Sequence, residues 1–457
     1  MKITPSIFKD YDIRAVVDEQ LDLAGVKRIG QGLVELFKPS RIAVGYDMRN
    51  SSPEWKEALI SGITTQGADV IDLGLIATDM TYFAAGTLDV DLAVMISASH
   101  NPPQFNGFKI VKRGAIGVSG NSGIYELRDL VISDHEFIPA AQSGLVTSQD
   151  ILEDWVNHAI SMVDVKQIKP LKVVIDAGNG MAGKIIPAIE DQLPIQVIPL
   201  YFELDGTFPN HLANPLLPET WDTIQETIAE EKADLGIMFD GDGDRMFLFD
   251  EQGNFISGTI TTAMVAAQML KKFPSSTILY NAICGRVVPE TVANLGGKSQ
   301  RVRVGHTLIK EDMRKYDGLF AGEHSGHYYF RDNFSADSGL IASLVVLELI
   351  SQENKRMSEL VTQFDLYPSS GEINFSVEDK AEMMKALETK FDDAESSDWL
   401  DGVSIWYPTW WANIRPSNTQ PVLRLNVEAD NQQILQEKTA EIKSFILSHG
   451  GEIAEEH

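Results

Sequence analysis

The stretch LAVMISASHNPP, residues 92–103, gives the first indication of the fold. Its first five residues are all apolar, which predicts a buried strand. The two prolines at its end prevent a helix from starting directly after that strand. Ser97, Ser99 and His100 are therefore expected on a rigid loop at a strand end. Because α/β proteins usually carry their chemistry on such loops, the stretch indicates both a fold class and a candidate site.

Strand-like and helical segments alternate along most of the chain. The strand-like segments that precede helical ones are RIAVGYD (41–47), LKVVID (171–176), STILYN (276–281) and RVRVG (301–305). This alternation predicts an α/β fold. The last part of the chain differs, because its pattern indicates a smaller α+β unit. Its predicted strands lie near 372–376, 402–407 and 421–428, and its predicted helices lie near 378–390 and 431–447.

A chain of 457 residues is too long for a single hydrophobic core. Polar, turn-rich seams near 140–150, 250–254 and 365–372 divide it into segments of ordinary domain size. The predicted domains are 1–145, 146–250, 251–366 and 367–457. A short similarity hints at a repeat, since DLAVMIS (91–97) and DLGIMFD (234–240) share one pattern of apolar, small and polar residues. If these segments are equivalent strands, Ser99 and Asp240 follow them at the same end of two related sheets.

The chain is strongly acidic, with 38 lysines and arginines against 66 aspartates and glutamates and a formal net charge of -28. This charge argues against nucleic acid and anionic membranes as partners. No apolar run approaches the ~20 residues that span a bilayer, and the N-terminal residues lack the apolar core of a signal peptide. A cytoplasmic location is therefore expected. The single cysteine, Cys284, excludes an internal disulfide and a cysteine-rich metal site.

The segment DGDGDR, residues 240–245, is the strongest candidate for a metal site. Its aspartates alternate with glycines, which let the backbone curl so that Asp240, Asp242 and Asp244 can converge on one hard cation such as Mg²⁺. The same spacing matches the first positions of an EF-hand loop. Arg245, however, stands where that loop requires glycine, and strand-like residues flank the segment. A Mg²⁺ site is the favoured interpretation, and a plain acidic turn is the alternative.

The segment DAGNGMAG, residues 176–183, contains glycines in the spacing of a dinucleotide-binding loop. It also follows a predicted strand and precedes a predicted helix, as that function requires. The residues after Asp205, however, form a turn-rich stretch without a clear adjoining strand. A tight strand-to-helix turn is therefore the favoured interpretation.

Two further loops carry polar side chains suited to a phosphorylated sugar. AGEHSGHYYF (321–330) presents Glu323, Ser325 and His327, which can hydrogen-bond neighbouring sugar hydroxyls; structural roles for its histidines are the alternative. RPSNTQP (415–421) groups a guanidinium, two hydroxyls and an amide as a candidate phosphate cradle, with an ordinary polar turn as the alternative. Other candidates come from two segments: His306 and Lys310 in VGHTLIK (304–310), and Tyr11 and Arg14 in DYDIRA (10–15).

Taken in order, five stretches resemble the α-D-phosphohexomutase family: YDIR, SASHNP, DGDGDR, GEHSGH and RPSNTQP. The resemblance extends over essentially the whole chain, and five motifs in the family's order are highly specific. It implies a fold of four domains, in which three related mixed α/β units and a C-terminal α+β domain surround a central cleft. It also implies an enzyme that moves phosphate between O1 and O6 of an aldohexose.

The resemblance implies roles for individual residues of this chain. Ser99 would carry the phosphoryl group, and its phosphate oxygen would complete the coordination of Mg²⁺ by Asp240, Asp242 and Asp244. The residues expected to act in catalysis are Ser99, His100, Lys109, Arg14, Arg245 and His327, with Lys109 and His327 as candidates for the general acid and base. The residues expected to bind substrate are Tyr11, His306, Glu323, Ser325, Arg415, Ser417, Asn418 and Thr419.

The expected reaction interconverts mannose 6-phosphate and mannose 1-phosphate through a hexose bisphosphate, with hexose 1,6-bisphosphate as activator and action on glucose phosphates left open. Glucosamine or glucose phosphates as the main substrates are the alternative within the family. Outside it, the alternatives are a Mg²⁺-dependent phosphatase with Asp240 as nucleophile and an inactive carbohydrate-binding relative. One departure is Ile283, which stands where some relatives have a substrate-binding lysine. Either Arg286 or Lys310 would replace that lysine, or the phosphate contacts differ.

Overall fold

Four β-sheets follow one another along the computed structural model, which describes residues 1–417 and 422–454. The first three sheets contain both parallel and antiparallel strand pairs and are accompanied by helices. The fourth sheet is antiparallel in every described pair. The predicted α/β fold, with three related units and a final α+β unit, is confirmed. The domain boundaries near 145, 250 and 366 remain predictions.

The first unit has the sheet order β1-β5-β4-β2-β3-β7, with β6 beside β5. Its strands are β1 (Ile13–Val16), β2 (Arg41–Tyr46), β3 (Asp69–Leu75), β4 (Leu92–Ile96), β5 (Phe105–Lys112), β6 (Ile116–Gly117) and β7 (Val146–Ser148). Its helices are α1 (Leu23–Phe37), α2 (Ser52–Thr65), α3 (Thr78–Thr87) and α4 (Ile124–Ile132).

The second unit has the order β12-β11-β10-β8-β9. Its elements are α5 (Leu152–Ser161), β8 (Leu171–Asp176), α6 (Ala182–Glu190), β9 (Ile195–Leu200), α7 (Asp222–Glu231), β10 (Leu235–Phe239), β11 (Met246–Phe249) and β12 (Phe255–Ile256).

The third unit has the order β14-β13-β15-β16-β17. Its elements are α8 (Gly258–Lys272), β13 (Thr277–Asn281), α9 (Val287–Asn294), β14 (Lys298–Val302), α10 (His306–Lys315), β15 (Gly318–Gly322), β16 (Tyr328–Phe330), β17 (Ala336–Asp337), α11 (Gly339–Glu353) and α12 (Met357–Val361).

The fourth unit has the order β19-β20-β21-β22-β18-β23. Its elements are β18 (Ser369–Ser376), α13 (Lys380–Lys390), β19 (Ser396–Asp398), β20 (Val403–Tyr407), β21 (Trp410–Pro416), β22 (Leu423–Ala429), α14 (Gln432–Ser448) and β23 (Glu452–Ile453). No helix in the described ranges is both long and apolar enough to cross a membrane.

The first three sheets repeat one arrangement around a central strand. That strand, β4, β10 or β15, pairs in parallel with one neighbour (β2, β8 or β13) and antiparallel with the other (β5, β11 or β16). All residues of the three central strands are buried, as expected for strands covered on both faces. The predicted equivalence of 91–97 and 234–240 therefore has a structural basis, and β15 is a third copy. The loops that carry Ser99, Asp240 and Glu323 leave their sheets at equivalent ends.

One predicted strand lies elsewhere in the structure. The segment 301–305 was expected to be a strand, but β14 spans Lys298–Val302 and ends three residues earlier. Gly305, with a φ of 134°, precedes α10 and turns the chain into that helix. Before it, the Val304 N–H donates to Asp401 Oδ2 at 2.9 Å, so residues 303–305 connect β14 to α10 outside the sheet.

The packing of α2 on the first sheet supports the strand that carries Lys109. Trp55 of α2 is buried and stacks on Phe108 of β5, with ring centroids 5.2 Å apart. Phe108 precedes Lys109, so the apolar contact on one face of β5 fixes the strand whose next side chain faces the other way.

We expect Trp55→Ala to lower the free energy of unfolding of the first unit by about 3–5 kcal/mol, because it leaves a cavity against Phe108. The measurement is urea unfolding followed by far-UV circular dichroism. Trp399→Ala is the control, since Trp399 is 46% exposed and should cost less than about 1 kcal/mol. Equal losses in the two variants would contradict the prediction.

Candidate active site

The loop after β4 places Ser99 against the second unit. Ser99 has a φ of 53°, a left-handed conformation that is uncommon for residues other than glycine. Its N–H donates to Ser97 Oγ at 2.8 Å, and its own Oγ donates to Asp240 Oδ2 at 2.8 Å. The same Oγ lies 3.1 Å from His100 Nδ1. The buried Ser99 hydroxyl thus faces the acidic loop of the second unit.

The three aspartates of DGDGDR lie on the turn between β10 and β11. Two antiparallel strands flank this turn, so it is not the helix–loop–helix of an EF-hand. One ligand oxygen from each of Asp240, Asp242 and Asp244 lies within 4.8 Å of the others, and all three residues are buried. Asp242 Oδ1 and Asp244 Oδ1 have no hydrogen-bond partner among the described residues. Converging carboxylate oxygens without donors fit a hard cation such as Mg²⁺.

Lys109 of β5 neutralises two of these carboxylates. Its Nζ donates to Asp242 Oδ2 at 2.7 Å and to Asp244 Oδ2 at 2.6 Å. Burial alone would lower the pKa of Lys109, but these two carboxylates raise it above its usual value. Lys109 is therefore an ammonium group at neutral pH, and its charge offsets that of the two carboxylates.

The pKa values of the three aspartates differ because their neighbours differ. Burial alone would raise the pKa of Asp242, but the Lys109 ammonium brings it below the usual range. Burial raises the pKa of Asp240, and the Arg245 guanidinium offsets only part of that effect. Burial and the adjacent Asp242 carboxylate hold the pKa of Asp244 well above its usual range. The three carboxyl groups therefore differ in acidity although they lie on one loop.

Two arginines contact the Ser99 loop or the carboxylate that accepts from Ser99. Arg245 Nε donates to Asp240 Oδ2 at 2.9 Å, the same oxygen that accepts from Ser99. Arg14 Nε donates to Asp12 Oδ2 at 2.8 Å, and its NH1 group donates to Asn101 Oδ1 on the Ser99 loop. Both guanidinium groups are therefore anchored by protein oxygens on the Ser99 side of the cluster.

The loop after β15 brings polar residues of the third unit to the acidic cluster. Glu323 is buried, and its carboxylate accepts hydrogen bonds from the Tyr329 hydroxyl and from Asn281 Nδ2, the latter at 3.3 Å. Ser325 Oγ lies 3.3 Å from His327 Nδ1. His324 instead lies 3.3 Å from Thr259 Oγ1, which is consistent with a structural role for that imidazole.

His327 reaches the acidic cluster itself. Its Nε2 lies 3.8 Å from Asp244 Oδ1 and 3.9 Å from Asp337 Oδ2. Burial, together with the nearby Arg245 and Lys109, holds the pKa of His327 well below its usual value. A neutral imidazole can accept a proton, so His327 and Lys109 have complementary protonation states at neutral pH.

Tyr11 and His306 form one wall beside His327. The Tyr11 hydroxyl donates to Val304 O at 3.2 Å, and its ring meets the His306 ring edge-on at 5.7 Å. The His306 and His327 rings stack at 6.2 Å. The predicted residues of the first and third units are therefore brought together.

The predicted phosphate cradle lies in the fourth unit. Arg415 is buried, and its NH2 group donates to Glu372 Oε2 at 3.0 Å. Arg415 lies directly across from Arg424 in the β21–β22 register, and Arg424 also pairs with Glu372, at 3.1 Å. Ser417 N–H donates to Val422 O at 2.9 Å. Asn418 and Thr419, which complete the predicted cradle, lie outside the described residues.

Arg286 and Lys310 are the two cations suggested to replace the lysine that some relatives carry at the position of Ile283. Each of them pairs with a carboxylate of this chain. Arg286 pairs with Glu428 at 3.0 Å and with Asp430 at 2.9 Å. Lys310 is buried and pairs with Asp337 at 2.7 Å. Both cations are thus already bound to carboxylates, and Arg286 connects the third unit to the fourth.

The glycine-rich segment 176–183 supports the acidic loop. The Met181 N–H donates to Gly241 O at 2.9 Å, and a Cβ at Gly180 would lie 2.6 Å from the same oxygen. The space above Gly180 is therefore filled by the backbone of the acidic loop, which favours the tight-turn interpretation over dinucleotide binding. The glycine allows the two loops to approach closely.

Three residues that bear on the site were missed by the sequence analysis. Thr78 donates through Oγ1 to Asp242 Oδ2 at 2.5 Å and through its N–H to Asp242 O at 3.0 Å. Arg49 donates to backbone carbonyls of the Ser99 loop. Both follow strands, β3 and β2, so the strand-end rule that identified Ser99 could have found them. Asp337 of β17 lacks such a signal, because it stands outside any recognisable motif.

The chain matches sequence models of one family along most of its length. The models are described as phosphoglucomutase/phosphomannomutase α/β/α domain I at residues 5–129, domain II at 153–253, domain III at 257–367 and the C-terminal domain at 372–444.

Individual relatives are similar over nearly their full length. A phosphomannomutase of Escherichia coli is 38% identical over 450 residues, which cover 96% of this chain and 98% of that protein. Phosphohexose mutases of Xanthomonas campestris are 37% identical over 450 residues, which cover 97% of this chain and all of that protein. The crystal structure of a phosphoglucomutase/phosphomannomutase family protein from Burkholderia thailandensis matches with a TM-score of 0.90 at 31% identity and covers 99% of both chains.

One buried carboxyl near the cluster makes stability depend on pH. Burial raises the pKa of Asp79 to about 8, although a hydrogen bond from Ser338 Oγ opposes the shift. Between about pH 4 and pH 8 the folded chain keeps a proton on Asp79 that the unfolded chain has released. The contribution of this group to stability is therefore fully present below about pH 4 and is lost as the pH rises to about 8.

We expect the free energy of unfolding of Asp79→Asn, relative to the parent protein, to increase from pH 5 to pH 8 by up to about 1.4 kcal/mol per pH unit. The amide does not titrate, so the variant lacks the pH-dependent loss. Urea unfolding at both pH values measures the difference, and Asp89→Asn is the control because its side chain is 82% exposed. A difference that is the same at pH 5 and pH 8 would show the prediction to be wrong.

Proposed function

The chain belongs to the phosphoglucomutase/phosphomannomutase family, and from that premise we propose that it interconverts mannose 6-phosphate and mannose 1-phosphate through a phosphorylated Ser99. The general activity follows from the family and from the relatives of this chain: the chain is a phosphohexomutase, an enzyme of the isomerase class. We favour mannose as the sugar because several proteins that are similar to this chain over nearly its whole length are phosphomannomutases. The proposed role of Ser99 rests on one observation, the 2.8 Å hydrogen bond from its Oγ to Asp240 within the acidic cluster.

In the proposed reaction, phospho-Ser99 donates its phosphoryl group to the free hydroxyl of the bound hexose phosphate. The product is a hexose bisphosphate, which turns over in the cleft and returns its other phosphate to Ser99. Hexose 1,6-bisphosphate would accordingly act as an activator that phosphorylates Ser99. The bond between Ser99 Oγ and phosphorus breaks as the bond to the sugar oxygen forms, so phosphate is conserved.

Positioning and charge supply most of the catalysis in phosphoryl transfer. Asp240, Asp242, Asp244 and an oxygen of phospho-Ser99 would hold Mg²⁺. When bound, Mg²⁺ neutralises the charge that develops on the transferring group. Arg14 and Arg245 would stabilise the phosphoryl oxygens on the Ser99 side, with His100 beside the serine. These local cations explain how an anionic substrate can bind to a chain of net charge -28.

Each phosphoryl transfer needs a general base and a general acid, and we assign these roles to His327 and Lys109. The accepting sugar hydroxyl must lose a proton, and Ser99 must regain one when the phosphoryl group leaves it. His327, neutral at pH 7, would accept the proton. Lys109, an ammonium group beside Asp242 and Asp244, would donate one once its pKa is lowered by Mg²⁺ binding to those carboxylates. The roles would exchange in the second transfer, since the sugar then donates its other phosphate.

The remaining predicted residues would hold the sugar and its non-reacting phosphate. Glu323 and Ser325 would bind O3 and O4, which allows the sugar to bind in either direction. Tyr11 and His306 would border it. Arg415, Ser417, Asn418 and Thr419 would bind the phosphate that does not react.

Ser99→Ala should reduce kcat at least about a thousandfold and remove phosphate from the protein, because the acceptor hydroxyl is lost. The measurements are mannose 1-phosphate turnover with Mg²⁺ and mass spectrometry of the tryptic peptide. Ser97→Ala is the matched control; it should keep the phosphate on Ser99 and lose about 10- to 100-fold in kcat, because Ser97 Oγ makes two hydrogen bonds, from the Ser99 N–H and to Asp242 Oδ2. Phosphate on Ser97, or normal turnover by Ser99→Ala, would refute the role of Ser99.

The second prediction concerns the sugar. We expect kcat/KM to be highest for mannose 1-phosphate, alone or shared with glucose 1-phosphate, and lower for glucosamine 1-phosphate. The three sugars share O3 and O4 and differ at C2, so contacts to Glu323 and Ser325 cannot separate them. The assay contains Mg²⁺ and a trace of glucose 1,6-bisphosphate. A preference for glucosamine would reject mannose but keep the mechanism, and steady release of inorganic phosphate would favour the phosphatase alternative.

A further inference from the structure

We propose that Arg49 is the positioning residue that holds the Ser99 loop in its reactive conformation. The proposal rests on the proposed role of Ser99 and extends it to a residue outside the family motifs that identified the site. Among the described residues, Arg49 forms no hydrogen bond or ion pair with the three aspartates of the acidic cluster or with the side chains proposed to bind the sugar. It acts through the backbone on which Ser99 is mounted.

The guanidinium of Arg49 gathers four carbonyl groups of that loop. Its NH2 group donates to Ser99 O at 2.8 Å and to Asn101 O at 2.6 Å. Its NH1 group donates to Pro102 O at 2.9 Å and to Phe105 O at 3.0 Å. The side chain is entirely buried. Four donors from one planar group therefore fix the backbone from Ser99 to Phe105 as a unit.

The Ser99 loop requires these hydrogen bonds from Arg49 because its conformation is unfavourable by itself. Ser99 has a φ of 53°, and the two prolines that follow have no N–H to contribute to a regular hydrogen-bond pattern. Pro102 O also accepts from the Phe105 N–H at 3.1 Å, but a buried point at which four carbonyl oxygens converge needs further donors. Arg49 supplies those donors, so it stabilises the loop only in the arrangement in which all four carbonyls converge.

The same loop controls two chemical groups. Ser99 Oγ reaches Asp240 at 2.8 Å, and Asn101 Oδ1 accepts from the Arg14 guanidinium. A shift of the loop would therefore move both the proposed phosphoryl acceptor and a cation proposed to stabilise the transferring group. Misplacement of reacting groups by ~1 Å can lower a rate about a hundredfold.

Arg49 is itself fixed from two sides. Asp47 Oδ2 lies 3.3 Å from Arg49 Nε, and Asp47 Oδ1 accepts from the Arg49 N–H at 3.0 Å. From the second unit, the Phe208 ring lies 5.2 Å from the guanidinium carbon. Gly206 of the same segment approaches so closely that a Cβ there would lie 2.6 Å from Arg49 Cα. The second unit, which carries the three aspartates, thus also packs against Arg49.

Two explanations of Arg49 make different predictions for Arg49→Lys. If Arg49 only neutralises Asp47, lysine keeps the charge and activity should be retained. If the four-carbonyl fork positions the loop, lysine cannot replace it, because an ammonium group has three N–H donors and no planar fork. We expect kcat of Arg49→Lys to fall roughly 10- to 100-fold, with KM for mannose 1-phosphate changed less than about twofold.

Arg28→Lys is the matched control. Arg28 also binds backbone carbonyls, those of Val131, Ser133 and His135 at 2.7, 2.8 and 2.7 Å, but in a segment after α4 that carries no proposed site residue. Its replacement should lower thermal stability while leaving kcat within about twofold of the parent. Amide hydrogen exchange over residues 97–105 provides a readout that does not require turnover; it should become faster in Arg49→Lys and not in Arg28→Lys.

A second variant tests Arg49 without changing it. Gly206→Ala should displace the Arg49 backbone from across the unit boundary and lower kcat in the same direction, with KM again unchanged. It also keeps the proposal testable if Arg49→Lys does not fold. Parent-level kcat in both variants, or equal kcat losses in Arg49→Lys and Arg28→Lys, would overturn the proposal. Absence of phosphate on Ser99 in the parent protein would instead refute the proposed function, while faster exchange over 97–105 in Arg49→Lys would still support the role of Arg49.

Discussion

The structure depends on the neutralisation of a group of buried aspartates. Unpaired, such carboxylates would cost several kcal/mol each. The cations that offset this cost come from different places: Lys109 from β5 binds Asp242 and Asp244, Arg245 binds Asp240, and Lys310 from α10 binds Asp337. Lys109 reaches from the first unit to the second, whereas the other two pairs lie within the second and third units, so charge pairing holds the first unit against the second at this point.

Repetition of one strand arrangement explains how the site is assembled. The central strands β4, β10 and β15 each end in a loop that carries different polar residues: serine in the first unit, aspartates in the second and glutamate in the third. The following antiparallel strands, or the turns that lead to them, carry Lys109, Arg245 and His327. Arg245 and His327 are even joined by a backbone bridge. Equivalent ends of three similar sheets thus supply three different chemical components.

Much of this arrangement could be predicted from the sequence, because strand-end loops and glycine-spaced aspartates are local signals. The hydrogen bond from Ser99 to Asp240 and the position of His327 beside Asp244 agree with that reading. The supporting contacts could not be predicted in the same way. Arg49, for example, acts on carbonyl groups 50 to 56 positions away in the chain, and such contacts leave no pattern in a single sequence. The alternating pattern of 301–305 likewise gave no sign that β14 ends at Val302, because the Val304 N–H donates to Asp401, a residue distant in the chain.

The ion pairs of Glu372 affect how strongly the fourth unit would bind an anion. Arg415 and Arg424 lie opposite one another on neighbouring strands, where like charges repel, and Glu372 relieves that repulsion. An anion that displaced Glu372 from Arg415 would exchange one negatively charged partner for another, and its affinity would reflect the difference between the two pairs. Such an exchange would favour a doubly charged group over a singly charged one, and Glu372 would take the place of the departing ligand on release.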